Sequence, residues 1–364
     1  MKTCLVYRDR LLPASEQAFM RRQYMAFSQL LPYWVGCHRD TPPPDIASSM
    51  RIIGEGHVLG PLRRLAFRQM GWGAGRAVAD LAPVVVHAQF GRGGALALPI
   101  AQQLRLPLVV TFHGGDAFKD KHYKNSFPPP IFQRRWQALQ DYSTLFVCVS
   151  DGVRDKLRAR GVPAHMLEVL NIGTEDVARA RGPFDRLVFA GRFVEKKGIP
   201  VLLDALRILA AQGLTPPVVL AGDGPLRADM EQYAQGLEHV CFAGWLSAGQ
   251  LRKQLEHAVA LVVPSVRGAG GDREGLPSVA AEAMMCGVPV VASTEAGLDT
   301  AMLGGGGMVV PAGDAPALAG ALADMLQSPG VRAGMGQAAR AVAREQLRAQ
   351  VQSARLEQRL LSVL

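Results

Sequence analysis

Short apolar runs alternate with longer helical stretches along the whole chain. In the first half the runs are Thr3–Tyr7, Met50–Ile53, Val84–His87, Leu108–Phe112, Leu145–Val149 and Leu167–Leu170. In the second half they are Leu187–Ala190, Val218–Ala221, Val240–Ala243, Leu261–Val263, Val288–Ala292 and Met308–Val310. Most are continuously apolar, as strands buried on both faces must be. Helical patterns fill the intervals, among them Gly94–Leu104, Ile131–Leu139, Gly152–Arg160, Pro200–Gln212, Ala248–His257, Pro277–Cys286 and Pro316–Gln327. Such alternation predicts an α/β fold of parallel, doubly wound sheets with right-handed crossovers. One sheet of about twelve strands is too large, so the chain divides. The polar stretch Asp176–Asp185 supplies the break, giving domains 1–180 and 181–340. A last helix, Gln337–Leu361, has no place in the second sheet. Its segment 341–364 either caps that domain or crosses back to the first.

Composition narrows the class. Of 364 residues, 49% are hydrophobic and 20% charged, the balance of a folded globular protein. No apolar run reaches the ~18 residues of a transmembrane helix. Arg8 interrupts the start too early for a secretory core. The five cysteines (Cys4, Cys37, Cys148, Cys241, Cys286) are odd in number and include no Cys-x-x-Cys. That excludes a disulfide framework or tetrahedral zinc site and predicts reduced thiols in the cytoplasm. The net charge of +9 lies in one half: residues 1–180 hold 23 Lys and Arg against 14 Asp and Glu, and the remainder is balanced. That half faces an anionic membrane surface, a phosphorylated substrate or nucleic acid, or carries a solubilising charge. The basic residues are dispersed and accompany no nucleic-acid-binding signature, which weighs against nucleic acid.

In doubly wound sheets ligands bind beyond the carboxyl ends of the strands. There the chain carries His87, His113-Gly-Gly-Asp116, Gly191-Arg192, Gly222-Asp-Gly224 and Gly244-Trp245. Two such domains facing each other predict a cleft with sites on both walls. Gly191 lets the backbone turn closely, and Arg192 and Lys197 can converge on one anion beside the next helix N-terminus. Glu274 precedes a helix read as opening at Pro277, and Glu282 lies about one and a half turns inside it. A carboxylate in the apolar run Val279–Met285 needs a partner: sugar hydroxyls, a backbone group or an arginine.

These elements, with their neighbours, resemble a known family. Gly191-Arg-x4-Lys-Gly198, Ala221-Gly-Asp-Gly-Pro225 and Phe242-Ala-Gly-Trp245 are similar to the donor domain of the retaining glycosyltransferases of family 4. Glu274-Gly-Leu-Pro-x4-Glu282-Ala, with Gly287-Val-Pro-Val-Val291 after it, resembles that family's Glu-x7-Glu motif. Thr111-Phe-His-Gly-Gly-Asp116 and Val169-Leu-Asn-Ile-Gly173 fit its acceptor domain. The stretch Pro13–Gln23 is similar to the start of bacterial exopolysaccharide-assembly members.

The resemblance implies a GT-B fold: two Rossmann-like domains, an interdomain cleft and a C-terminal helix crossing back. It implies transfer of a hexose-type sugar, with retention, from a UDP- or GDP-sugar to a glycan or lipid-linked acceptor. Arg192 and Lys197, with Gly191, would hold the diphosphate and Glu282 the ribose. Glu274 would touch the donor sugar, and backbone around Trp245-Leu246 the base. His113 would lie near the reaction centre, with His87 and Asp116 as further contacts. The sequence has no Asp-x-Asp, the usual divalent-metal element of other nucleotide-sugar folds, so no metal or further cofactor is expected. The alternatives are a nucleotide-sugar epimerase or an inactive binding relative.

Three departures stand out. The common His-Ala-His reads His87-Ala-Gln89, Thr300 replaces a usual glutamate, and no Gly-Gly loop lies between residues 8 and 20. The basic groups Arg63, Arg64, Arg68 and Arg76, Lys119, Lys121 and Lys124, and Arg134 and Arg135 predict peripheral attachment at the inner face of the plasma membrane. A helix over Leu62–Leu81 would stack Arg64, Arg68, Trp72 and Arg76 on one face.

Overall fold

The computed structural model describes residues 1–11, 14–39, 46–118, 130–298 and 303–364. Lys119, Lys121, Lys124 and Thr300 lie outside them. The chain forms two compact units, Met1–Gly173 with Ala349–Leu364, and Thr174–Arg348.

The first unit is built on seven parallel strands: β1 (Lys2–Tyr7), β2 (Leu30–Gly36), β3 (Met50–Ile52), β4 (Pro83–Gln89), β5 (Leu108–Phe112), β6 (Leu145–Cys148) and β7 (Leu167–Val169). Their order is β3-β2-β1-β4-β5-β6-β7. Helices α1 (Ala14–Arg22), α2 (Gly60–Met70), α3 (Gly91–Leu104) and α4 (Asp151–Ala159) connect or cover them. Strand β2 was not expected from the sequence.

The helix expected over Leu62–Leu81 is shorter. Gly71, at φ 71°, ends α2, and its N–H returns to Phe67 O at 2.8 Å. Glycine adopts this left-handed conformation without steric cost, which makes it a helix stop. Trp72 and Arg76 therefore leave the helix, and the four-residue stack is broken.

The second unit has six parallel strands: β8 (Arg186–Ala190), β9 (Val218–Ala221), β10 (Val240–Gly244), β11 (Ala258–Val263), β12 (Val290–Ser293) and β13 (Gly307–Val310). Their order, β10-β9-β8-β11-β12-β13, is the 3-2-1-4-5-6 arrangement of nucleotide-binding sheets. Helices α5 (Ile199–Ala211), α6 (Ala248–Glu256), α7 (Ser278–Cys286), α8 (Ala315–Gln327) and α9 (Pro329–Gln346) surround it. Leu202, Leu206 and Leu209 of α5 and Leu318 and Leu322 of α8 share a core with Phe189, Leu220 and Val262.

The expected single terminal helix is two. After α9 the chain breaks at Leu347-Arg348 and α10 (Ala349–Ser362) begins. Thr174 N–H donates to Leu347 O at 2.7 Å. The units thus part at Gly173/Thr174 and Arg348/Ala349, where 180/181 and 340/341 were expected. Helix α10 belongs to the first unit. Its Leu356 and Leu360 enter the core with Cys4, Val6 and Trp34. On that face Glu357 accepts the N–H groups of Ser28, Gln29 and Leu30 at 2.8, 2.7 and 2.8 Å. These bonds offset the cost of burying a charge. They also hold its carboxyl below the usual range against the upward push of burial.

Candidate functional site

In the second unit the strand order reverses between β8 and β11. At such a switch the crossovers leave on opposite faces and a crevice opens at the strand ends. β8 runs into Gly191-Arg192 and β11 into the loop from Pro264 to Pro277. The two loops touch at Gly198, φ 64°, where a Cβ would lie 1.9 Å from Pro264 O; only glycine fits. Val266 N–H donates to Lys196 O at 2.9 Å, and Ala269 N–H to Glu195 Oε2 at 2.9 Å.

This joint brings two lysines onto one carboxylate. Lys197 Nζ is 3.3 Å from Glu274 Oε2 and Lys196 Nζ 3.3 Å from Oε1. Lys196 also meets Asp272 at 3.4 Å. Burial pushes the Glu274 carboxyl up, but Lys197 and then Lys196 outweigh it and hold it below the usual range. Gly191 leaves room for this, since a Cβ there would be 3.1 Å from Lys197 Cε. Arg192 is exposed, and among the described residues its guanidinium has no partner.

Helix α7 starts at Ser278, with Pro277 as its extended cap rather than its first residue. Glu282 is half-buried one turn in, between buried Ala281 and Ala283. Beyond β10, Trp245 is exposed and Leu246 half-buried, ahead of the Ser247–Gln250 capping box of α6.

In the first unit the corresponding switch lies between β1 and β4, next to β5. His113, just past β5, has its Nε2 2.7 Å from Gln89 Oε1. Gln89 Nε2 donates to Tyr24 Oη at 2.5 Å and to Gln23 Oε1 at 3.1 Å. Tyr24 Oη lies 2.8 Å from His87 Nδ1, and His87 Nε2 2.8 Å from Thr111 Oγ1. Phe90 and Phe19 flank the His113 ring at centroid distances of 4.3 and 5.5 Å. Burial, with Arg8 and His87 adding, pushes His113 down to about 3, and burial alone takes His87 to about 3. Both imidazoles are therefore neutral near pH 7. His113 Nδ1 is buried without a hydrogen-bond partner among the described residues.

One expected contact is corrected here. His87 is fully buried with both ring nitrogens engaged, so it has no surface to offer a ligand and acts through the network. Asp116 accepts the N–H groups of His113 and Gly91, both at 2.9 Å, so its carboxylate shapes the strand-end loops. Burial raises its pKa against these hydrogen bonds.

The structure thus joins Gly191, Lys197 and Glu274 in one unit, and His113, Asp116 and His87 in the other. Arg192, Glu282 and Leu246 lie on elements leaving the same carboxyl edge as Glu274. Sequence reasoning missed Lys196, whose only signal is the Lys-Lys doublet. It also missed Gln89, noted as a departure but given no role, and Tyr24, which carries no local signal.

Residues 30–173 match the glycosyl transferase 4-like domain, and residues 185–328 the glycosyl transferases group 1 family. A glycosyltransferase assigned to colanic acid biosynthesis in Salmonella typhimurium is 31% identical over 254 residues, covering 66% of this chain and 61% of the relative. The amylovoran biosynthesis glycosyltransferase AmsK of Erwinia amylovora is 31% identical over 258 residues, covering 67% and 61%. The chain thus spans about three fifths of the length of these exopolysaccharide relatives. A GDP-mannose-dependent phosphatidylinositol monomannoside mannosyltransferase of Mycolicibacterium smegmatis is 29% identical over 339 residues, covering 88% and 81%. Among solved structures, Anabaena HepE, crystallised with UDP and glucose, superposes with a TM-score of 0.77 at 17% identity over all of both chains. By sequence and architecture the chain belongs to the group 1, family 4 glycosyltransferases and has the GT-B fold.

Proposed function

We propose that this chain transfers a hexose-type sugar from a UDP- or GDP-sugar to a glycan or lipid-linked acceptor in bacterial polysaccharide biosynthesis. Transfer proceeds with retention at the anomeric carbon, without a metal ion, at the inner face of the plasma membrane. The observation that carries the reading is the Lys196–Lys197–Glu274 cluster, with Arg192 beside it, at the switch point of a 3-2-1-4-5-6 sheet.

Glycosyl transfer builds negative charge on a leaving diphosphate. Arg192 and Lys197 stand where the strand ends deliver it, and each cation at ~4 Å offers up to about 4 kcal/mol at an effective dielectric of ~20, before desolvation. Each ~1.4 kcal/mol realised only in the transition state is tenfold in rate. The α7 N-terminus adds its dipole. This cationic set, with no Asp-x-Asp in the sequence, supports metal-independent stabilisation. Glu282 binds the ribose hydroxyls, Glu274 the donor sugar and backbone at Leu246 the base. His113, neutral, lies near the reaction centre. The mannosyltransferase relative supports a GDP donor and the HepE complex a UDP donor.

The test offers UDP- and GDP-hexoses with lipid-linked glycan extracts, with and without EDTA, and reads the product anomer by NMR. Transfer with the donor's anomeric configuration, undiminished by EDTA, is expected. Transfer to none of these acceptors, inversion, or metal-rescued loss in EDTA would each remove the corresponding part.

A further inference from the structure

Helix α2 turns an apolar face outward. It buries Gly60 and Phe67 and leaves Leu62, Leu65 and Met70 exposed. Val58 and Leu59 before it and Trp72 after it are exposed too, Val58 at 96% and Trp72 at 70%. Leu62 and Leu65 share one side of α2 by helical spacing. A surface helix of a globular protein ordinarily shows the opposite pattern, and a contiguous apolar patch marks an interaction site. A groove of about 1080 Å³ runs alongside, lined in part by Ile53, Phe67, Met70, Trp72 and Arg76, so the described residues leave the patch open.

The charges around it that have no partner among the described residues are cationic. The side chains of Arg63, Arg64 and Arg76 have no hydrogen-bond or ion-pair partner among the described residues. The nearby carboxylates are engaged: Glu55 by Arg39 at 2.9 Å and Asp80 by Arg51 at 2.7 Å. Exposed apolar side chains and arginines without a carboxylate partner among the described residues thus share one segment.

We propose that residues 58–76 seat the protein in an anionic lipid bilayer. Leu62, Leu65, Met70 and Trp72 enter the boundary between headgroups and acyl chains, and Arg63, Arg64 and Arg76 lie on the phosphates. Apolar side chains with tryptophan and arginine on one element suit that boundary, where each finds its own solvent. A second copy of the chain fits less well: a two-fold contact through this patch sets the arginines against their own copies with no carboxylate between. Half of the chain carries all of its excess positive charge, which favours the same surface.

The purpose of this surface rests on the lipid-linked acceptor proposed above, but its test uses neither donor nor acceptor, so either idea can fail alone. Flotation compares the full chain on phosphatidylglycerol–phosphatidylcholine vesicles and on pure phosphatidylcholine, at low and high salt. Wild type should float with the anionic vesicles only, and salt should release it. Arg63→Gln/Arg64→Gln/Arg76→Gln should weaken binding on the order of a hundredfold, about fivefold per cation. Leu62→Asp/Leu65→Asp should weaken it at least about tenfold. In a Trp245→Phe background, tryptophan emission should shift to the blue on the vesicles, and Trp72→Phe in the same background should abolish the shift, since Trp34 and Trp136 remain in both. Thermal melts check folding, and Trp72→Ala, at a position outside the helix, gives an independent variant. Wild type that ignores anionic vesicles at low salt, or variants that bind like it, would overturn the proposal. A vesicle-free dimer abolished by Leu62→Asp/Leu65→Asp would replace it with self-association.

Discussion

His113 Nε2 donates to Gln89 Oε1 at 2.7 Å, and because a carboxamide oxygen only accepts, this bond fixes the imidazole tautomer. The proton sits on Nε2 and the Nδ1 lone pair is left for another donor. The relay continues in one direction: the Gln89 amide donates to Tyr24 Oη, which donates to His87 Nδ1, and His87 Nε2–H donates to Thr111 Oγ1. Gln89 is a positioning residue for His113. Nitrogen-15 spectra of wild type should show Nε2 protonated and Nδ1 bare from pH 8 to 5. Gln89→Leu should mix the tautomers and lower kcat by about ten- to a hundredfold with little change in KM. An unchanged His113 spectrum in Gln89→Leu would contradict this.

Glu274 neutralises Lys197, the cation expected to meet the diphosphate. Glu274→Gln frees that amine. Free nucleotide diphosphate should therefore bind as well as or better than to wild type by calorimetry, while transfer falls at least about a hundredfold. Loss of nucleotide affinity matching the loss of transfer would show that Glu274 is needed for the diphosphate itself. Glu282→Ala should do the reverse and act mainly on nucleotide affinity.

Arg192 is exposed and has no side-chain partner among the described residues, none of which depends on its guanidinium. Arg192→Ala should leave stability within about 0.5 kcal/mol of wild type yet cut turnover at least about a hundredfold. Denaturant melts beside initial rates check both. Wild-type turnover would remove Arg192 from the diphosphate site.

Two buried neutral histidines make stability fall with acid. The folded state holds His87 at about 3, whereas the unfolded ring takes up its proton near 6.5. Below pH 6.5 the unfolded chain binds more protons, so stability declines by about 1.4 kcal/mol per pH unit for this ring until about pH 3. His113 contributes with the same sign. His87→Gln should flatten the slope of unfolding free energy between pH 6 and 4; an identical slope would show that other groups govern it.

Glu357 serves three backbone N–H groups at the entrance of β2. Glu357→Ala leaves those donors unpaired and should destabilise the chain by about 2–4 kcal/mol. Glu357→Gln, which keeps an acceptor, should lose less. Chemical denaturation distinguishes them, and equal losses would mean that the charge rather than the acceptor matters.

Much of this was legible in the residues. Runs such as Ala258–Val263 and Leu108–Phe112 are apolar throughout because both sheet faces are covered, and each emerged as a strand. β2 was hidden by Pro32, which normally argues against a strand. It is tolerated because β3 pairs only with Trp34–Gly36, leaving the outer side of Pro32 without a neighbouring strand. The break at Leu347 was invisible because helical periodicity continues across it; what stops the helix is Thr174, far away in sequence, bonding to Leu347 O. At the candidate site, motif spacing singled out Lys197, Glu274 and His113. It could not show that Lys197 lies on Glu274 or that Gln89 orients His113, since both depend on loops that meet only after folding.

The pairing of Thr174 with Leu347 and Arg348 makes the second unit an insertion whose entry and exit are immediate neighbours. Such a segment can be exchanged at a single place on its host. A relative's second unit could be grafted between Gly173 and Ala349, with the closing helix α10 left in its native seat. Recombination between these two points would exchange the six-stranded sheet and its helices while leaving the seven-stranded sheet and its closing helix untouched.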